Sequence, residues 1–204
     1  MSSTADHAES HAHGHGLGPI VTHEAAKLGI WLFLGTEILL FGGLFTAYAI
    51  FRAKFPEMFY EQHLKLDLKL GTINTIILIF SSFTMALAVL NAQRRNQKML
   101  IIFLIITIIC AFGFGINKYF EYMHKFENHI YPDTNIFFAL YFMMTGLHMI
   151  HVFIGIVVLS SLVIMTMQGR FVEGRPTPVE VGGLYWHLVD LVWIYLFPLL
   201  YLIG

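Results

Sequence analysis

Charge is scarce in this sequence. Only 12% of its 204 residues are Asp, Glu, Lys or Arg, about half the share usual in soluble domains, while 57% are hydrophobic. A water-soluble fold of ordinary surface is therefore excluded, and a mean hydropathy of +0.69 places the chain in a bilayer. No excess of positive charge compensates, since the formal net charge is -1. The basic footprint of a nucleic-acid binder is missing, so no nucleic-acid partner is expected. Cysteine is almost absent. The single Cys110 lies inside an apolar run, which excludes a disulfide framework, a CxxC redox pair and a thiolate metal cluster. The first 26 residues lack the positive start, apolar core and cleavage site of a secretory signal, so the tail is expected to remain and the first helix to act as insertion signal. No internal repeat is visible, which disfavours an inverted-repeat transporter.

What the chain does have is long apolar runs. A helix needs about 20 apolar residues to cross a hydrocarbon core of about 30 Å, and five segments qualify. They are Leu28 to Phe51, Ile73 to Ala92, Met99 to Asn117, Ile136 to Gln168 and Gly183 to Gly204. The expectation is an all-α integral membrane bundle of five transmembrane helices over residues 27–204, preceded by a flexible tail over 1–26. The fourth segment is longer than the core is thick, so it must tilt or extend into water. Arg94, Arg95 and Lys98 sit in a tight turn that makes the second and third helices a hairpin. The loop from Arg52 to Leu70 mixes charges with Phe55, Met58, Phe59, Tyr60 and Leu64, which suits the headgroup region. Pro132 and Asp133 break the chain before the fourth helix, and Gly174 to Gly183, with Pro176 and Pro178, before the fifth.

Basic residues divide evenly between the two sides. Lys27, Arg94, Arg95, Lys98, Arg170 and Arg175 lie with the N-terminus; Arg52, Lys54, Lys65, Lys69, Lys118 and Lys125 lie opposite. Weighting the short turn at Arg94 places the N-terminus in the cytoplasm and the C-terminus on the far side.

Several ionisable residues stand where lipid disfavours them, and such residues are functional candidates by default. Glu37 lies about 15 Å along the first helix, with no Lys or Arg in that helix near enough to pair with it. It must be protonated, hydrogen-bonded to another helix, or hydrated. His148 and His151 are three residues apart in the fourth helix, as are His187 and Asp190 in the fifth, so each pair shares a helix face. An Asp190–His187 hydrogen bond is one expectation. With alternating helix directions, Glu37, His148, His151, His187 and Asp190 can occupy a single polar layer. At this point two readings of the histidines stay open: hydrogen bonding between helices, or half of a di-metal or haem site completed by carboxylates at the same height. Glu37 is equally a structural donor or a proton-exchanging acid. Glu121, just beyond Asn117, reads as interfacial. The tail histidines His7, His11, His13, His15 and His23 stand among Gly, Ala and Ser, as in a solvated segment that binds divalent metals weakly.

Four motifs then carry a resemblance. KLGIWLFLGTEILLFGGLFTAY (27–48), INTIILIFSSFT (73–84), MMTGLHMIHVFIGIVVL (143–159) and LYWHLVDLVWIYLF (184–197) occur in the order of subunit III of the haem-copper respiratory oxidases, and the chain resembles that family from Lys27 to Gly204. The resemblance implies a chain without a catalytic centre, haem or copper of its own. Those groups belong to subunits I and II, its expected partners, together with bound phospholipid and a respiratory supercomplex as a wider assembly. It implies that Glu37 matches the family's carbodiimide-reactive carboxylate, which must be protonated and in an apolar place to react. It implies that His148, His151 and His187 are structural or lipid-associated rather than metal ligands, and that Trp186, Trp193, Gly146 and Gly155 set packing and lipid contacts. Many family members have seven helices, and this chain lacks the first two, as the quinol oxidase branch and many bacterial members do. The function implied is support of proton uptake and of the catalytic subunit in a proton-pumping cytochrome c oxidase of a bacterial cytoplasmic membrane. A quinol oxidase or nitric-oxide-reducing complex is the alternative. The rival of another class is a small proton-coupled transporter using Glu37 and the histidines directly.

Overall fold

The computed structural model describes residues 19–169 and 177–203, with side chains at 25, 28–169 and 178–203. The tail residues His7, His11, His13 and His15, the basic residues Arg170 and Arg175, and the side chains of His23 and Lys27 lie outside that description.

Among the described residues six α-helices follow one another: α1 (Pro19–Lys54), α2 (Pro56–His63), α3 (Leu68–Gln93), α4 (Gln97–Glu127), α5 (Ile136–Met167) and α6 (Thr177–Phe197), the last continued by a π-helical turn, Pro198–Leu202. No strand occurs among the described residues. All but α2 are long and apolar enough to cross a membrane, so the chain is a multi-pass membrane protein. Local chemistry sets the starts. Asp67 Oδ1 accepts from the backbone N–H of Lys69 and Leu70 at the head of α3 (2.9 and 3.2 Å). Asn96 and Asn135 cap α4 and α5 in the same way, through Met99 N and Phe138 N. Arg95 turns the α3/α4 hairpin in the left-handed region at φ 57°.

Two boundaries depart from the sequence expectation. α1 begins at Pro19, so residues 19–26, expected in the flexible tail, are helical. α4 runs ten residues past Asn117, because the charges that ended the apolar run turn into the bundle. The segment after Arg52, expected along the headgroups, contains the short helix α2, started by Pro56 and seated on buried Phe59.

α3, α4, α5 and α6 pack as a ring of four, α3 and α5 each touching both α4 and α6. α1 lies outside that ring against α5 and α6. Its bundle-facing stripe is Leu34, Phe41 and Tyr48, seven residues apart, and Glu37 falls on the same stripe at i+3 from Leu34. The rest of α1 presents Trp31, Leu32, Ile38 and Leu39 outward. The outer face is largely apolar, and the interior holds Asn74, Ser81, Thr84, Thr107, Thr145 and Asp190 within an aliphatic and aromatic core. Lipid gives apolar side chains no reason to cluster inside, so close packing and interhelical hydrogen bonds hold the ring. Gly155 shows the packing part. A Cβ there would sit 2.6 Å from the Trp186 ring, so only glycine lets α5 and α6 approach this closely.

The C-terminal turn is latched to α1. Carbonyls in and just after the turn accept from α1 side chains: Tyr48 donates to Leu199 O (2.9 Å) and Arg52 to Ile203 O (2.7 Å).

Candidate functional site

Glu37 meets His151. Its Oε2 lies 2.8 Å from His151 Nε2, with both side chains about one-tenth exposed. The approach is short but not aligned as an N–H···O hydrogen bond. The other ring nitrogen fixes the chemistry. His151 Nδ1 is 2.8 Å from Leu147 O, and a carbonyl only accepts, so Nδ1 carries a proton. In a neutral ring Nε2 is then an acceptor, so a hydrogen bond between the two side chains needs the proton of a carboxylic acid or of an imidazolium. The pair joins α1 to the bundle, flanked by Phe41, whose ring stands edge-on to His151 at 5.4 Å.

The remaining residues of the expected polar layer divide among other partners. His148 is fully buried between Phe114 and Trp193, at ring distances of 5.5 and 5.3 Å, and neither nitrogen has a hydrogen-bond partner among the described residues. The expected Asp190–His187 bond is replaced by two bonds to α3. His187 Nδ1 is 2.8 Å from Ser82 Oγ, and Asp190 Oδ2 is 3.5 Å from Ser81 Oγ. Trp186 Nε1 donates to the same Ser81 oxygen (3.1 Å), while Trp193 Nε1 donates to Thr75 (3.1 Å). Gly155 sits under Trp186, as described; at Gly146 a Cβ would meet nothing within 4 Å. Among the described residues no three His, Cys, Asp or Glu side chains converge on a common point. His151 and His187 each give Nδ1 to a protein partner, and His148 stands between two aromatic rings, so the three imidazoles do not converge on one point.

A second polar site forms where the sequence suggested an interface. Lys118, Glu121 and Lys125 are almost completely buried at one end of the ring, so the reading of Glu121 as interfacial is corrected. Lys118 Nζ has three protons and three acceptors: Glu121 Oε2 (2.9 Å), Tyr141 OH (3.0 Å) and Tyr201 OH (2.8 Å). Both tyrosines pass their own protons to Glu121 Oε1, at 2.8 and 2.6 Å. Lys125 stands 4.0 Å from the same oxygen. Trp193 offers its ring face to Lys118 at 5.1 Å. The π-helical turn after Pro198 is what carries Tyr201 to this point. Lys118, Glu121 and Lys125 at i, i+3, i+7 are a helical stripe, the signal by which the sequence could have disclosed the site.

Comparison with known proteins bears on what these sites belong to. The family described as cytochrome c oxidase subunit III matches residues 6–204. Cytochrome c oxidase subunit 3 of Synechocystis sp. is 35% identical, covering the whole of this chain and 84% of that protein. Quinol oxidase subunit 3 of Bacillus subtilis is 31% identical over 98% of both chains. Heme-copper oxidase subunit I+III of Aeropyrum pernix is 33% identical over 87% of this chain and 22% of its own length. A match spanning nearly every residue, with a relative aligned over 98% of both chains, establishes that the chain belongs to the cytochrome c oxidase subunit III family of the haem-copper oxidases.

Proposed function

We propose that the chain is the accessory subunit III of a proton-pumping terminal oxidase that reduces O2. The observation that carries this reading is the family match over residues 6–204. Haem and copper reside in partner subunits I and II, and phospholipid packs around the helices. A relative named as a fused subunit I+III supports subunit I as the immediate neighbour. Glu37 and His151 supply an exchangeable proton at mid-membrane that supports proton uptake by the assembly. The rival, a free-standing transporter, would use the same proton for a solute.

The chain resides in a bacterial cytoplasmic membrane with its N-terminus in the cytoplasm. Burial of Lys118 and Lys125 supports this orientation, because cations neutralised inside the bundle no longer count as loop charges. The far side keeps Arg52, Lys54, Lys65 and Lys69, fewer than the cytoplasmic set.

The electron donor in this reading is cytochrome c, through other subunits. A quinol oxidase is the second reading, favoured by the Bacillus relative that matches almost all of both chains. Purification of the complex decides. Co-isolation with haem-bearing subunits, and oxidation of reduced cytochrome c but not of a quinol, is expected. Oxidation of quinol alone would replace the first donor with the second, and a cofactor-free chain with transport activity would overturn the oxidase reading.

A further inference from the structure

Polar groups on the outer faces of the spanning helices are mostly satisfied by their own backbone. Thr36 donates to Phe33 O, Thr46 to Gly42 O, Thr72 to Leu68 O and Ser161 to Val157 O, each at 2.7 or 2.8 Å. A hydroxyl in lipid can do this because it reaches the carbonyl three or four residues back. An imidazole at His187 has no such outlet. Its Nδ1 is taken by Ser82, and no described residue meets Nε2, on a ring that is only partly covered. Exposed Leu184 and Leu191, one turn to either side, show that the ring stands on an outward face. His187 lies ten residues from the start of α6, about 15 Å, and Ser82 is near the middle of α3, so the free nitrogen is at mid-membrane depth.

An imidazole nitrogen facing hydrocarbon carries a desolvation cost that lipid tails do nothing to relieve. We propose that the α3/α6 face around His187 is the docking surface for a second membrane-spanning subunit, whose helix presents a hydrogen-bonding group to His187 Nε2 at mid-depth. This rests on the accessory-subunit reading and names the surface it uses. The shape agrees with the chemistry. Leu191 also lines an open apolar groove with Ile38, Gly42 and Phe45 of α1, a seat for the ridge of a neighbouring helix. The groove on the opposite edge of the ring, between α4 and α5, is lined by Phe112, Ile116, Phe153 and other largely apolar residues, with no imidazole.

The test uses the whole complex in native membranes. A photo-reactive benzophenone side chain placed at Leu191 or Ile79 is expected to cross-link to a haem-bearing subunit, and at Phe112 or Phe153 to lipid. The reverse pattern overturns the proposal, as does lipid labelling from all four positions in a complex that still holds this chain. A chain that purifies without any haem-bearing subunit instead overturns the accessory-subunit reading. In detergent, His187→Phe should raise the rate at which this chain leaves the complex about three- to tenfold, the range of one interhelical hydrogen bond. Ser82→Ala, which removes the internal bond but keeps Nε2, should leave that rate nearly unchanged. Equal loss from both variants would make the internal bond the cause and refute an external partner.

Discussion

The two polar sites differ in how completely they are satisfied. At the end of the ring, every proton of Lys118 has an acceptor, and Glu121 gathers two hydroxyl donors and a second cation. At the edge, Glu37 and His151 have one close contact between them, and the second imidazole nitrogen meets only a backbone carbonyl. A saturated network leaves its protons nowhere else to go and holds α4, α5 and the C-terminal turn in register. A single contact at an edge can open, protonate or react. The first suits a structural tie, and the second suits the exchange proposed for it.

The sharpest way to break this contrast is at Glu121. Glu121→Gln leaves two lysines buried without an anion and should cost about 3–5 kcal/mol of stability. Thermal loss of the helical signal in detergent measures it, and an unchanged midpoint would mean the cluster is not a staple. Tyr201→Phe removes one donor to Glu121 and one acceptor of Lys118, and should cost about 1–3 kcal/mol in the same assay. At the edge, His151→Phe deprives the carboxyl of its partner but not of its proton. About 1 kcal/mol is expected from the lost contact, with carbodiimide labelling of this chain retained; a label that appears only in this variant would assign the native proton to the imidazole. The smallest stability effect belongs to Glu37→Gln, under about 1 kcal/mol. It should abolish labelling while the complex assembles normally, and persistent label would place the reactive carboxyl elsewhere.

Five spans were legible because lipid-facing runs are apolar whatever the interior does. The end of α4 was not. Lys118, Glu121 and Lys125 in a row look like a loop until their common side faces other helices. Glu37 was legible as misplaced, but not its partner. Residues 148 and 151 differ by about 60° around the helix, enough to aim one imidazole at α1 and the other into the aromatic core. Ser81 and Ser82 show the same limit. About 100° separates them, so one serves Asp190 and the other His187, and only the packing angle of α3 on α6 decides which. Spacing gives faces; the neighbour each face meets is a property of the whole bundle.

The arrival of Tyr201 at Lys118 has a consequence for biosynthesis. The chain emerges from its N-terminus, so Lys118 and Glu121 enter the membrane with only each other. Tyr141 follows 23 residues later, and Tyr201 83 residues later. At about 5–20 residues per second, the last hydroxyl comes roughly 4–17 s after the ammonium group it must meet. During that interval Lys118, Lys125 and Glu121 stand in an unfinished cage. The first four spans are therefore made before the Tyr201 hydroxyl that completes the set of acceptors around Lys118.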